Sequence, residues 1–202
     1  GSFPSYFPKT DQERIQNCYK DMQQPMKEYS WEVTEKVEGQ SFSCYFNNGE
    51  FGVCSRNLDL KPDENNSFWK AAYKYNVEAN MKHEEWFGLA IQGELIGEGI
   101  NGNQYKVGLE FLVFNIYDTC KKKYLSYSQR MYICETLGLK HVPVLYTGVI
   151  HKDNTVQETL KLAEGKSELN GSNREGFVIK SQKDTGIIVN VISNAWLLKN
   201  ED

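Results

Sequence analysis

Glu35-Lys36-Val37-Glu38-Gly39-Gln40-Ser41-Phe42-Ser43-Cys44-Tyr45-Phe46-Asn47-Asn48-Gly49-Glu50-Phe51-Gly52-Val53 carries both the pattern that decides the fold and the residues that suggest a chemistry. Phe42, Cys44 and Phe46 alternate with Ser41, Ser43 and Tyr45, the period of a strand with one face buried. Asn48-Gly49 suits the left-handed backbone of a tight hairpin turn, and Phe51 and Val53 resume the alternation on the return strand. A hairpin of this kind is the seed of an antiparallel sheet.

Working outward, Phe3–Pro8 reads as an extended aromatic lead-in. Thr10 or Asp11 is expected to cap a first helix, with Glu13 in its first turn, running to about Met22 before Pro25 interrupts it. Ser67 to Glu84 reads as a helix, with Trp69, Tyr73 and Val77 at spacing four. Strands are expected over Trp86–Ile96 and Lys106–Tyr117, joined by a loop from Gly97 to Tyr105 that connects strands or shapes a ligand end. Helices follow at Ser126–Leu137 and from Asn154 or Thr155 to near Gly165, and closing strands at Gly176–Ser181 and Gly186–Ile192. Strands and helices mix without a βαβ rhythm, so the class is α+β with largely antiparallel sheet.

The chain has 202 residues, 40% hydrophobic and 25% charged, the composition of a globular domain with a core. Twenty-seven acids against 23 bases give a net charge of −4, which argues against a general nucleic-acid coater. No apolar run long enough to cross a membrane and no secretory signal pattern is visible, so a cytoplasmic or nuclear protein is expected, not a secreted one. Gly1-Ser2 reads as an expression scar. The five cysteines, Cys18, Cys44, Cys54, Cys120 and Cys134, show no CxxC spacing. With only His83, His141 and His151 they support reduced thiols better than a zinc site. Lys121-Lys122-Lys123, with Tyr124, Tyr127 and Arg130, is either a solvated helix entrance or a contact for nucleic-acid phosphates and bases.

Lys36 stands two residues before an acid and three before a glycine. A lysine becomes a nucleophile where neighbours or a metal favour its neutral amine, and Gly39 allows a close backbone approach. Alone the pattern is that of a solvated ion pair. In order along the chain it is followed by Ser55-Arg56-Asn57, by Gln92-Gly93-Glu94-Leu95-Ile96-Gly97, by Phe111-Leu112-Val113-Phe114-Asn115-Ile116-Tyr117-Asp118, and by Arg174-Glu175-Gly176-Phe177-Val178-Ile179-Lys180.

From Lys36 to about Lys199, this series resembles the covalent nucleotidyltransferase superfamily of ATP-dependent ligases and mRNA capping enzymes, and within it the nick-sealing RNA ligases. The resemblance implies an α+β nucleotidyltransferase (ATP-grasp-like) domain of antiparallel sheets flanked by helices. Residues 3–202 would form a single adenylyltransferase domain, which in the resembling subgroup follows a small OB-like domain. It implies a lysyl-AMP at Lys36, ATP and Mg2+ or Mn2+ as cofactors, and RNA ends or nicked duplex RNA, RNA/DNA hybrids included, as partners of a monomer acting in RNA repair. Glu38 matches an acid that organises the ribose or metal-bound waters, a glutamate in place of the commoner aspartate. Arg56 matches an arginine near the ribose and the RNA end, Glu94 an acid on a ribose hydroxyl, and Phe114 the aromatic that stacks on adenine. Glu175 matches an acid that, with Glu38, places the metal. Lys180 matches a lysine near the nucleotide, and Glu35 reads the adenine edge. These roles suit the chemistry: a polyphosphate needs cations, an adenine offers a π-face, and hydroxyls suit carboxylate acceptors.

Two expectations follow from strand alternation. Leu112, Phe114 and Ile116 share one face, which makes Phe114 by itself a core residue. Glu175 and Lys180, five apart, point to opposite faces. The last strand departs from the resemblance. Asn190 stands where the main phosphate-gripping lysine is expected and Ala195 where a second basic residue often occurs, while Lys183 and Lys199 are out of register. A ligase using another cation, a ligase altered at Asn190 and Ala195 to trap a step, an impaired ligase, and a non-catalytic nucleotide or RNA-end binding module are therefore all open, with DNA ligase and capping-type nucleotidyltransferase as further readings.

Overall fold

The computed structural model describes residues 1–150 and 156–200. In chain order the elements are β1 (Glu13–Arg14), α1 (Ile15–Glu28), β2 (Ser30–Lys36), β3 (Gln40–Asn47), β4 (Glu50–Cys54), β5 (Asp59–Leu60), α2 (Ser67–Lys74), α3 (Val77–His83), β6 (Leu89–Ile96), β7 (Glu110–Asp118), β8 (Lys123–Tyr124), α4 (Tyr127–Leu137), β9 (Lys140–His141), β10 (Val144–Val149), α5 (Val156–Leu162), β11 (Gly176–Ser181), β12 (Ile188–Ile192) and α6 (Asn194–Asn200). They form a mixed α+β structure of largely antiparallel sheets with flanking helices, in two compact units: Gly1–Thr10 with Glu38–His141, and Asp11–Val37 with Val142–Asp202.

The first unit is built on the sheet β5-β4-β3-β6-β7-β8, with β9 parallel to β7. The expected hairpin is there: Asn47 faces Glu50 across β3 and β4, and Asn48 and Gly49 both have positive φ, at 51° and 78°. One face of this sheet carries Phe42, Cys44, Ile91, Leu95, Phe111, Val113 and Ile116 into a core closed by Trp69, Met81 and Ile133 from the helices. The helix expected from Ser67 to Glu84 is two helices. Asn66 caps α2, its Oδ1 accepting from the backbone N–H groups of Phe68 and Trp69. Asn76, left-handed at φ 50°, then ends the run and restarts it as α3. The expected α4 is present, with a reciprocal Ser126–Gln129 capping box and left-handed Gly138 at its C-terminus. Its Arg130, a candidate nucleic-acid contact in the sequence, does not lie at the surface. It is buried, donates from Nε to His141 Nε2 at 2.9 Å, and lies over the Tyr127 ring. Lys121, Lys122 and Lys123 are exposed on the β7–β8 turn.

The second unit is built on the sheet β1-β12-β11-β2-β10, antiparallel except for the β1–β12 pair. Trp31, Val33, Phe177, Ile179, Val189 and Val191 form its apolar face, covered by Ile15, Met22 and Met26 of α1 and by Leu160 of α5. The first helix therefore differs from its expected limits at both ends. Residues 13 and 14 are drawn into the sheet, opposite Val189 and Asn190. Pro25 lies inside α1, which continues to Glu28. Burying Met22 and Met26, at roughly 1.5–3 kcal/mol each, offsets the cost of an interior proline, about 3 kcal/mol. The strand Val144–Val149 was not anticipated. The helix start expected at Asn154 or Thr155 lies outside the described residues. All five cysteines are free, and burial pushes the thiols of Cys44 and Cys54 far above their usual range. No helix among the described residues is long and apolar enough to cross a membrane.

Candidate active site

The two faces of the second unit's sheet have opposite chemistry. Opposite the apolar face, alternation along β2 places Glu32, Thr34 and Lys36 together. The register sets Gly176, Val178 and Lys180 of β11 across from Lys36, Thr34 and Glu32, and Asn190 of β12 across from Val178. Arg14 of β1 follows, across from Asn190. Glu32 and Lys180 face each other in this array, both buried, as is expected of charges that keep each other company.

Lys36 ends β2 at the rim of this face. Its Nζ lies 3.6 Å from Glu175 Oε1, with side-chain exposures of 24% and 15%, so the pair is accessible without being fully solvated. Gly176, directly across from Lys36, packs closely on β12, where a Cβ would meet Val191 O at 2.1 Å. Glu175 precedes the strand and escapes its alternation, so the expectation that Glu175 and Lys180 diverge does not hold. Lys180 is on the Lys36 face, and Glu175 reaches Lys36 from the strand entrance.

Glu35 points the other way. Successive residues of a strand face opposite sides, and Glu35 is 1% exposed. Ser167 Oγ donates to Oε2 at 2.6 Å and the Glu168 backbone N–H to Oε1 at 2.7 Å. The contacts show this side chain, expected to read the adenine edge, fastening the loop after α5 to the strand that carries Lys36. Glu35→Ala leaves two donors without their acceptor. It is expected to lower the unfolding free energy by about 2–4 kcal/mol in a denaturant titration, since buried unsatisfied groups cost about 1–3 kcal/mol each. An unchanged midpoint would refute that role. Asn190 is half-buried, and its Nδ2 donates to Gln12 O at 3.2 Å, tying β12 to the segment before β1.

In the first unit, Glu38 and Gly39 enter β3. The Glu38 N–H donates to the Tyr105 hydroxyl, and Glu38 Oε1 accepts from Asn101 Nδ2. Gly39 is crowded by neighbouring protein: a Cβ would meet Leu95 O at 2.2 Å. Glu94 of β6 is half-buried, opposite Ser41 of β3 and Leu112 of β7. Phe114 differs from the expected core residue. Gln92 pairs with Asn115 but Gly93 with Val113, so Phe114 is the extra residue of a β-bulge. The bulge resets the alternation. Phe111, Val113 and Ile116 take the core positions, and Phe114 is half-buried outside that core cluster. Bulges re-aim side chains in this way beside functional sites. Arg56 is exposed on the β4–β5 turn, closed by the Ser55 N–H donating to Leu58 O.

The sequence model of the RNA ligase family matches residues 29–196. The chain belongs to the RNA ligase family. Among solved structures, a mutant Naegleria gruberi RNA ligase with ATP and manganese superposes with a TM-score of 0.92 at 36% identity, covering 100% of this chain and 60% of that one. The same figures hold for the Naegleria gruberi enzyme with pyrophosphate and for a mutant of it with AMP and manganese. This RNA ligase family member thus spans about three fifths of the length of the ligase chains it matches. No match was found among curated proteins.

Proposed function

We propose that residues 3–202 are the adenylyltransferase domain of an ATP-dependent RNA ligase, with Lys36 as the nucleophile. The observation that carries this reading is the Lys36–Glu175 pair at the rim of a polar sheet face, within the region matched by the family. In the first step Lys36 Nζ attacks the α-phosphorus of ATP. A P–N bond forms, the bond to the β-phosphate breaks, pyrophosphate leaves, and the amine loses its proton. The AMP then passes to an RNA 5′-phosphate, regenerating Lys36. A 3′-hydroxyl attacks that phosphate, joins the strands and expels AMP. Division into covalent steps turns AMP into a good leaving group at the junction.

Glu175 holds Nζ in place for the attack, and Glu35, through Ser167 and Glu168, steadies the strand beneath it. Phe114 stacks on the adenine, Glu94 accepts from a ribose hydroxyl, and Arg56 meets the ribose or the RNA end. Lys180 contributes positive charge on the Lys36 face. Among the described residues no three His, Cys, Asp or Glu side chains cluster as a closed cation cage. Magnesium or manganese is commonly held by one or two carboxylates and phosphate oxygens, and Glu38 and Glu175 are the residues the family resemblance offers for it. When bound, the ion supplies charge neutralisation on the phosphates.

A second reading is favoured by Asn190, whose amide is committed to Gln12 O and which brings no charge to the Lys36 face. It is a weakened ligase that binds nucleotide or RNA ends with little turnover. The test is sealing of a 5′-labelled nick in duplex RNA with ATP and magnesium, run beside GTP and beside a DNA nick. Sealing with ATP on RNA supports the first reading. GTP transfer or preference for DNA would move the protein to a capping or DNA-joining activity, and tight nucleotide or RNA binding without any sealing would favour the binding module.

A further inference from the structure

The loop between β6 and β7 is built as a latch on the residues that follow the nucleophile. Gly97, Gly99, Asn101, Gly102, Asn103 and Lys106 all have positive φ. Backbone bonds from Ile100 N to Gly97 O, Asn103 N to Ile100 O and Lys106 N to Asn103 O wind it into successive tight turns. Asn103 braces the exit: Nδ2 donates to Val107 O and Oδ1 accepts from Val107 N. Ile100 anchors the loop in the apolar core. What the loop presents is an amide and a phenol. Asn101 Nδ2 donates to Glu38 Oε1 at 2.8 Å and to Gly39 O at 2.9 Å, while its Oδ1 accepts from Gln40 Nε2 at 3.1 Å. Buried Tyr105 accepts the Glu38 N–H at 2.9 Å. Glu38 is thus held at its carboxylate and its backbone by one loop more than 60 residues away in sequence.

We infer that Asn101 is a positioning residue for the adenylation step, acting through Glu38 with Tyr105 as its partner. Asn101 uses both donors and its acceptor on three consecutive residues, which fixes the path of the chain as well as one carboxylate rotamer. The second oxygen of Glu38 is left to other partners. A side chain that locks another in place acts on rate without touching substrate, because small displacements of reacting groups are costly. The inference rests on the ligase reading for its effect on rate, but the latch itself is a property of the loop.

The test uses Asn101→Gly, which removes the amide while leaving the left-handed backbone at φ 46° unstrained, and Tyr105→Phe, which removes one hydroxyl. Hydrogen exchange of the peptide containing Glu38 and Gly39 is expected to quicken about tenfold or more in each variant, with the melting of the whole protein little changed. The single-turnover rate of Lys36 adenylation is expected to fall about ten- to hundredfold in Asn101→Gly. In a Glu38→Gln background the same change should have little further effect, because the group being positioned is already altered. Unchanged exchange overturns the latch. An Asn101→Gly rate equal to wild type, or an equal loss in both backgrounds, overturns the positioning role. If wild-type protein takes up no AMP, the ligase reading fails, and the exchange arm still judges the latch.

Discussion

Lys36→Ala is expected to form no AMP adduct, a loss on the order of 10⁴-fold or more in adenylation, as deletion of a covalent nucleophile usually produces. The same variant should still join an RNA whose 5′ end already carries AMP, within about tenfold of wild type, because Lys36 forms its bond only in the steps that precede joining. The two arms separate chemistry from folding. Lys36 ends β2 with its Nζ beside Glu175. If removing this amine merely destabilised the strand end, both activities would fall together, whereas removing a nucleophile abolishes one and spares the other. Adduct formation by Lys36→Ala would refute the assignment.

Asn190→Lys is expected to have the largest effect in the opposite direction. Position 190 lies on the polar face of the sheet that carries Lys36, in the row with Val178 and Thr34. A charge-assisted contact to phosphate contributes about 1.5–3 kcal/mol, so a lysine there is expected to raise the single-turnover adenylation rate about tenfold to over a hundredfold. The substitution also removes the Asn190–Gln12 hydrogen bond, at about 0.5–1.5 kcal/mol of stability, so a slightly lower Tm should accompany the faster chemistry. An unchanged rate with tight RNA or nucleotide binding would favour the binding-module reading.

Local features of the fold were legible in the sequence because their causes are local. The Asn48-Gly49 hairpin, the helix expected over Ser126–Leu137, and the strand Gly176–Ser181 each follow from a few adjacent residues. The interrupted helix at Asn76 was less legible, since its left-handed backbone breaks an apolar period that reads as continuous. Pro25 shows the reverse case, where burial of Met22 and Met26 keeps a helix going through a residue that predicts its end.

The order of motifs around Lys36, Glu94, Phe114 and Glu175 pointed to the family, but not to how each side chain is aimed. Phe114 leaves the core through a bulge that depends on the pairing of β7 with β6, which no periodicity within β7 reveals. Glu175 meets Lys36 because it lies just outside the strand whose alternation was used to place it. The partners of Glu35 and Glu38 come from loops 132 and 63 residues away, Ser167 and Asn101, and no pattern within either loop names those partners. Two of the acids beside Lys36, Glu35 and Glu38, are structural acceptors of hydrogen bonds.

The measurement that tests the central claim most directly is the intact mass of the wild-type protein after incubation with ATP and magnesium, followed by peptide mapping. The account predicts a gain of one AMP, located on Lys36 and discharged by added pyrophosphate. An unmodified mass, or an AMP mapped to any other residue, would contradict it.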